Sequence, residues 1–165
     1  MELRADRITA DAEGEPGHRS FYVQAREGDR LLTILVEKEQ VQLLAASVLE
    51  VLSRIDRETE TVSLDLSLEP PLEPLWRAGR MSIGYDEDRD LVMLELEELV
   101  PDEEDDDAPE PARLRVWATR EQMLALSSHG AEVCAQGRPK CELCGNPMDP
   151  EGHACPATNG HKKLG

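Results

Sequence analysis

The sequence predicts an α+β protein: two βββα-like units forming antiparallel sheet packed by two helices, plus a small C-terminal appendage. Three observations lead there. Short runs of alternating apolar residues, bounded by Gly, Pro or Asp, occur in groups. Each group is followed by a segment with helical spacing of its apolar residues. The last stretch of the chain has almost nothing apolar in it. With 165 residues, 32% of them charged and only 3% aromatic, the interior must be built from Leu, Val, Ile and Ala. The chain reads as one α+β domain over residues 1–136 and a tail over 137–165. The domain divides into pseudo-repeats at 1–56 and 79–136, joined by a connector at 57–78, with an acidic loop at 98–112.

The first unit opens with a weakly alternating strand candidate, Glu2 to Thr9, and a Gly/Pro loop around Gly14 and Gly17. Two better strands, Phe21 to Ala25 and Leu31 to Val36, flank Glu27-Gly28-Asp29, the kind of short Gly-containing link that closes hairpins. Val41, Leu44, Ala45, Val48, Leu52 and Ile55 then recur at helical spacing through a segment free of Gly and Pro, which predicts a helix over 38–56. In the connector, Val62 to Leu68 alternates like an edge strand, and Pro70, Pro71 and Pro74 make the rest an extended link.

The second unit repeats the order. Met81 to Tyr85 and Leu91 to Leu96 flank a polar turn, an acidic loop comes next, and Leu114 to Trp117 leads into a helix. Thr119-Arg120-Glu121-Gln122 matches a capping box, so that helix begins at Thr119. Lys38-Glu39-Gln40-Val41 lies over Arg120-Glu121-Gln122-Met123, which motivates the pseudo-repeat. The run from Asp102 to Asp107 is too densely acidic to pack and is read as a solvated loop.

The appendage carries the strongest chemical signal. Cys141 and Cys144 form a C-x₂-C pair followed by Gly145, and His153 and Cys155 stand two apart, so that both reach one ion from an extended chain. A segment that cannot bury a core is held most simply by a tetrahedral Zn²⁺ bound by Cys141, Cys144, His153 and Cys155, with His161 as the alternative fourth ligand. The appendage is then a small zinc knuckle or ribbon. Four local ligands close the coordination sphere, which predicts structural rather than catalytic zinc. Cys134, on the apolar face of the second helix, is read as a small buried hydrophobe.

Gly137-Arg138-Pro139-Lys140-Cys141, Cys144-Gly145, Pro147-Met148-Asp149-Pro150, Gly152-His153, Cys155-Pro156 and Asn159-Gly160 closely resemble the C-terminus of an uncharacterised bacterial family of cytoplasmic proteins. This domain-of-unknown-function group is sometimes labelled only as a repeat protein. The resemblance extends to Phe21 through Gly28 and to Glu37 through Val41, and so covers nearly the whole chain. Members usually carry C-P-F/x-C at the knuckle and C-P-R after the last cysteine, where this chain has Glu142, Leu143 and Ala157. An aromatic residue often stands at the position of His161, which favours His153 as ligand. Genes of the family are typically found near a phosphoinositide-kinase-like and a histidine-phosphatase-like protein, and the resemblance implies a shared pathway with them.

A net charge of −17 argues against coating nucleic acid or an anionic leaflet. No run approaches the roughly 20 apolar residues of a membrane span, and the first residues lack a signal-peptide layout, so the chain is expected to be cytoplasmic. Three function classes remain. First is a protein-interaction or adaptor module with structural zinc, binding a cytoplasmic partner that the resemblance makes a kinase-like or phosphatase-like neighbour. Its contact residues are Trp76, Arg138 and Lys140, while Trp117, in a strand, is expected in the core. Second is an enzyme or enzyme accessory acting on a phosphorylated or small metabolite, for which His18 and His129 are the acid–base candidates outside the tail. Third is weak nucleic-acid contact through Arg138, Lys140, Lys162 and Lys163. No phosphate-cradling loop or nucleophile elbow is present, and no catalytic residue is assigned.

Overall fold

The computed structural model describes residues 1–15, 17–101 and 110–136. They form β1 (Glu2–Arg4), β2 (Arg7–Glu13), β3 (Ser20–Glu27), β4 (Arg30–Val36), α1 (Lys38–Arg54), β5 (Ala78–Asp86), β6 (Leu91–Glu98), β7 (Arg113–Ala118) and α2 (Arg120–Gln136). The architecture is α+β with two sheets, one of order β2-β3-β4 and one of order β1-β7-β6-β5. The strands of each trio pair antiparallel, whereas β1 runs parallel to β7.

The expected single strand from Glu2 to Thr9 is in fact two. Ala5 N–H donates to the Trp117 carbonyl in one sheet, and the next N–H, of Asp6, donates to the Arg26 carbonyl in the other, both at 2.8 Å. The chain therefore changes sheets within one residue, and Leu3 and Ile8 are buried on opposite sides of that step. Side chains alternate across each sheet. Ile8, Ala10, Val23, Ala25 and Ile34 of one sheet and Val92, Leu94, Leu96, Leu114 and Val116 of the other fill a common core with both helices.

Helix α1 buries Val41, Leu44, Ala45 and Val48, the apolar positions the spacing picks out. It ends at Arg54, because Ile55 is already extended at the C-cap. Helix α2 begins at the expected box: Thr119 Oγ1 accepts from Gln122 N–H at 3.0 Å, and Gln122 Oε1 accepts from Thr119 N–H at 2.8 Å. Close approach of α2 to α1 and β2 depends on Gly130. A Cβ there would stand 3.1 Å from Val41 Cγ1 and 3.7 Å from Ala10 Cβ.

The connector departs from expectation. Val62 to Leu68 joins no ladder as an edge strand; it passes α2 at Val62 to Leu64 and then crosses the face of the three-stranded sheet that carries Thr9, Gln24 and Thr33. The reason lies in the residues on that face. Thr9, Gln24 and Thr33 stand side by side across β2, β3 and β4, and all three are buried. Buried polar groups require partners, and the connector's backbone supplies them, while Pro70, Pro71 and Pro74 have no N–H to offer a ladder. Beyond the prolines the chain does pair. Leu75 N–H donates to the Thr33 carbonyl at 2.9 Å, Leu35 N–H donates to the Trp76 carbonyl at 3.0 Å, and Arg77 bridges Leu35 in parallel.

Candidate functional site

Of the residues singled out in the sequence, Cys141, Cys144, His153, Cys155, His161, Arg138 and Lys140 lie outside the described residues. Among the described residues no group of three or more His, Cys, Asp or Glu side chains is placed to hold a metal. Trp76 is half-buried and packs against the core cluster. Trp117 is not in the core. Its register partners are Arg4 and Met93, on the outer face of the four-stranded sheet, where its Nε1 donates to Glu2 at 2.9 Å and the Arg89 guanidinium lies 4.4 Å above its ring.

The densest polar constellation fastens the connector to the three-stranded sheet. The Gln24 amide treats Glu69 as a neighbouring strand would: its Oε1 accepts the Glu69 N–H at 2.7 Å and its Nε2 donates to the Glu69 carbonyl at 2.9 Å. The same Nε2 donates to Thr33 Oγ1 at 3.0 Å. Thr9 Oγ1 donates to the Leu66 carbonyl at 2.5 Å, and Arg7 donates to the carbonyls of Asp65 and Ser67. The Glu69 carboxylate then takes Arg7 on one oxygen and Arg26 on the other, each at 3.0 Å. One acidic residue is thus gripped by backbone and side chain together.

A second constellation ties the β5–β6 turn to α2 and to the start of the connector. Asp90 holds a left-handed backbone at φ 52°, a conformation that Asp tolerates better than most residues. Its carboxylate accepts from Arg120 Nε at 2.8 Å and from Tyr85 Oη at 2.6 Å, and faces Arg57 at 3.0 Å. Arg120, almost buried, gives Nη2 to the other Asp90 oxygen at 3.3 Å and Nη1 to the Glu58 carbonyl and Thr59 Oγ1, each at 3.0 Å. The Arg120 and Tyr85 hydrogen bonds pull the Asp90 carboxyl down to about 2, and the bond to Asp90 pushes the Tyr85 phenol up. Sequence reasoning missed both constellations; the one signal for the first was a glutamine interrupting the apolar run Tyr22 to Ala25.

The two histidines outside the tail differ. His18 is exposed in the β2–β3 loop. His129, on α2, has Nε2 3.3 Å from Asp11 of β2 without a hydrogen bond to it, and borders an open groove of about 210 Å³ that Thr61, Ser63, Leu64 and Leu124 also line. A larger groove of about 740 Å³ runs between the helices, lined by small and apolar side chains such as Ala45, Ala46, Leu49 and Ala131. Cys134 also lines it. Burial pushes its thiol up, and its Sγ sits 3.8 Å from the Lys38 carbonyl.

The two sheets, the paired helices and the strap clamped by Gln24 and Glu69 define an α+β protein whose polar groups mostly hold its own chain together. Residues 3–155 match the family described as Protein of unknown function (DUF3090), and the chain belongs to that family. The matched span runs through Cys141, Cys144 and His153 to Cys155. No curated protein and no solved structure matches the chain. Among the described residues no helix is long and apolar enough to cross a membrane.

Proposed function

We propose that this protein is a bacterial, cytoplasmic interaction module: an α+β adaptor with a tail stapled by a structural Zn²⁺. One observation carries the reading. The buried side chains Thr9, Gln24, Thr33, Arg120 and Ser127 are engaged with other parts of the same chain, Ser127 through the Ala45 carbonyl at 2.7 Å. A catalytic cleft instead keeps convergent polar groups free for a substrate. The donor set Cys141, Cys144, His153 and Cys155, with His161 as the alternative to His153, suits zinc, since thiolates and imidazole both favour that ion.

We also infer that the two units are copies of one βββα unit. Support comes from two helices of 17 residues each, begun by the same glutamine contacts. In each sheet, moreover, a short segment runs parallel beside the last strand of the trio: β1 beside β7, and Arg77 beside β4.

The partner is a cytoplasmic protein, of which a kinase-like or phosphatase-like pathway neighbour is the first to test. Arg138 and Lys140 are the contacts to examine, because half-buried Trp76 also supports the core. Immobilised chain should retain such a neighbour stoichiometrically, and Arg138→Glu with Lys140→Glu should release it without moving the melting temperature. Equal retention by both chains rules against those contacts, and no retention by either rules against the module.

The second reading, an enzyme or accessory acting on a phosphorylated or small metabolite, has one observation in its favour. His129 faces Asp11 beside a groove that Ser63 and Thr61 help to line. Loss of any detected turnover in His129→Gln, at unchanged stability, would promote it over the first.

A further inference from the structure

The two sheets are treated unequally on their outer faces. On the three-stranded sheet the segment after α1 passes α2 and then covers the face: Thr61 to Leu66 line a groove with Leu124, Ala125, Ser128 and His129, and Leu66 to Glu69 meet Thr9, Gln24 and Arg26. On the four-stranded sheet, the polar contacts among the described residues stay within the sheet. Trp117 and Arg115 bond Glu2 and Glu95, and Arg113 faces Glu97 at 3.9 Å. Across that face run Arg4, Trp117, Met93 and Gly84, with the Arg89 guanidinium over the Trp117 ring.

The corresponding helix surface is bare as well. Laying Gln40 over Gln122 puts Gln42, Leu43 and Ala46 of α1 where Leu124, Ala125 and Ser128 of α2 meet the connector. All three are exposed, Leu43 by 66%, the largest exposure among the big apolar side chains described. Leu43 thus stands in water where its counterpart Ala125 is partly covered by the connector.

We propose that residues 137–165 are that neighbour: they cross α1 at Leu43 and cover the outer face of the four-stranded sheet over Met93 and Trp117, as residues 57–77 cover the other sheet. The connector leaves the end of α1, and the tail leaves the end of α2 at Gln136, so the two segments hold the same place in their units. The tail's 29 residues exceed the 21 of 57–77, so length is sufficient. Charge is favourable too, because the tail carries four cations against three acids on a chain of net −17. The inference rests on reading the two units as copies and is independent of the partner.

The test is photo-crosslinking in the full chain with Leu43→benzoylphenylalanine and, separately, Met93→benzoylphenylalanine, followed by peptide mapping. Adducts from both positions to residues 137–165 of the same chain are expected. Adducts to other segments or to a second chain, or none, overturn the proposal. Leu43 is exposed, so its variant stays folded and decides the matter should the Met93 variant melt early. Because the readout is internal to the chain, it fails separately from any capture of a partner.

Discussion

Gln40 and Gln122 fasten the two helices to the sheets through the same three contacts. Each takes the N-cap N–H on Oε1, from Glu37 at 2.7 Å and from Thr119 at 2.8 Å. Each then gives Nε2 to two successive carbonyls where the other unit begins: Ala78 and Gly79, both at 3.0 Å, for Gln40, and Ala5 and Asp6, at 3.1 and 3.3 Å, for Gln122. Each glutamine therefore starts a helix and joins two units at once. Gln122→Ala removes a cap and two tertiary bonds, and should lower the urea-unfolding free energy by about 1–2 kcal/mol. Gln122→Glu, which keeps the cap acceptor but turns a carboxylate on two carbonyls, should cost at least as much.

The strap offers a contrast between two kinds of loss. Glu69→Ala removes ion pairs to Arg7 and Arg26, which are partly exposed at 15% and 39%, so about 0.5–1 kcal/mol is expected. Gln24→Leu, at a site 3% exposed, leaves the Glu69 backbone and Thr33 Oγ1 without partners in a place water reaches poorly. That substitution should cost about 2–3 kcal/mol. Chemical denaturation of both variants checks the order, and a larger effect at Glu69 would mean that the charges, not the amide, hold the strap.

Asp90 predicts an acid-side transition. Its carboxyl is held at about 2 in the folded chain against 3.8 ordinarily. A depressed carboxylate contributes stability that is fully present above the ordinary value and is lost as pH falls through the folded one. The melting temperature should therefore fall from about pH 4 toward pH 2, as Asp90 takes up a proton and releases Arg120. Asp90→Asn tolerates the same left-handed backbone and removes the charge. It should melt lower at neutral pH and show a shallower fall over that window.

The range of the forces involved decides how much of this was legible in the sequence. The β3–β4 hairpin turns at Gly28, whose φ of 57° is the demand a short link makes on its glycine. The start of α2 was legible because Thr119 and Gln122 satisfy each other locally. The sheet change at Ala5 and Asp6 was not, since two successive N–H groups bond to strands that arrive later in the chain. Val62 to Leu68 alternates as an edge strand does; Arg7, Thr9 and Gln24, far away in sequence, decide that it crosses a face instead. Asp90 and Arg120 likewise meet only after folding, and neither stands in a local pattern that marks it. Trp117 was misplaced because strand position alone does not say which face is wet.

The thiols give the most direct test of the tail. Of the four cysteines, Cys134 is 3% exposed and its thiol is pushed up by burial, so at neutral pH it is slow to form the reactive thiolate. On the proposed zinc staple, Cys141, Cys144 and Cys155 are protected by the metal. The full chain purified with zinc should thus show no fast-reacting thiol toward an alkylating agent. Adding a chelator should expose three, and the fourth should react only with denaturant. Replacing zinc by Co²⁺ should give the intense visible bands of tetrahedral thiolate coordination, lost in Cys141→Ser. Three thiols that react before any chelator is added would rule out the zinc staple.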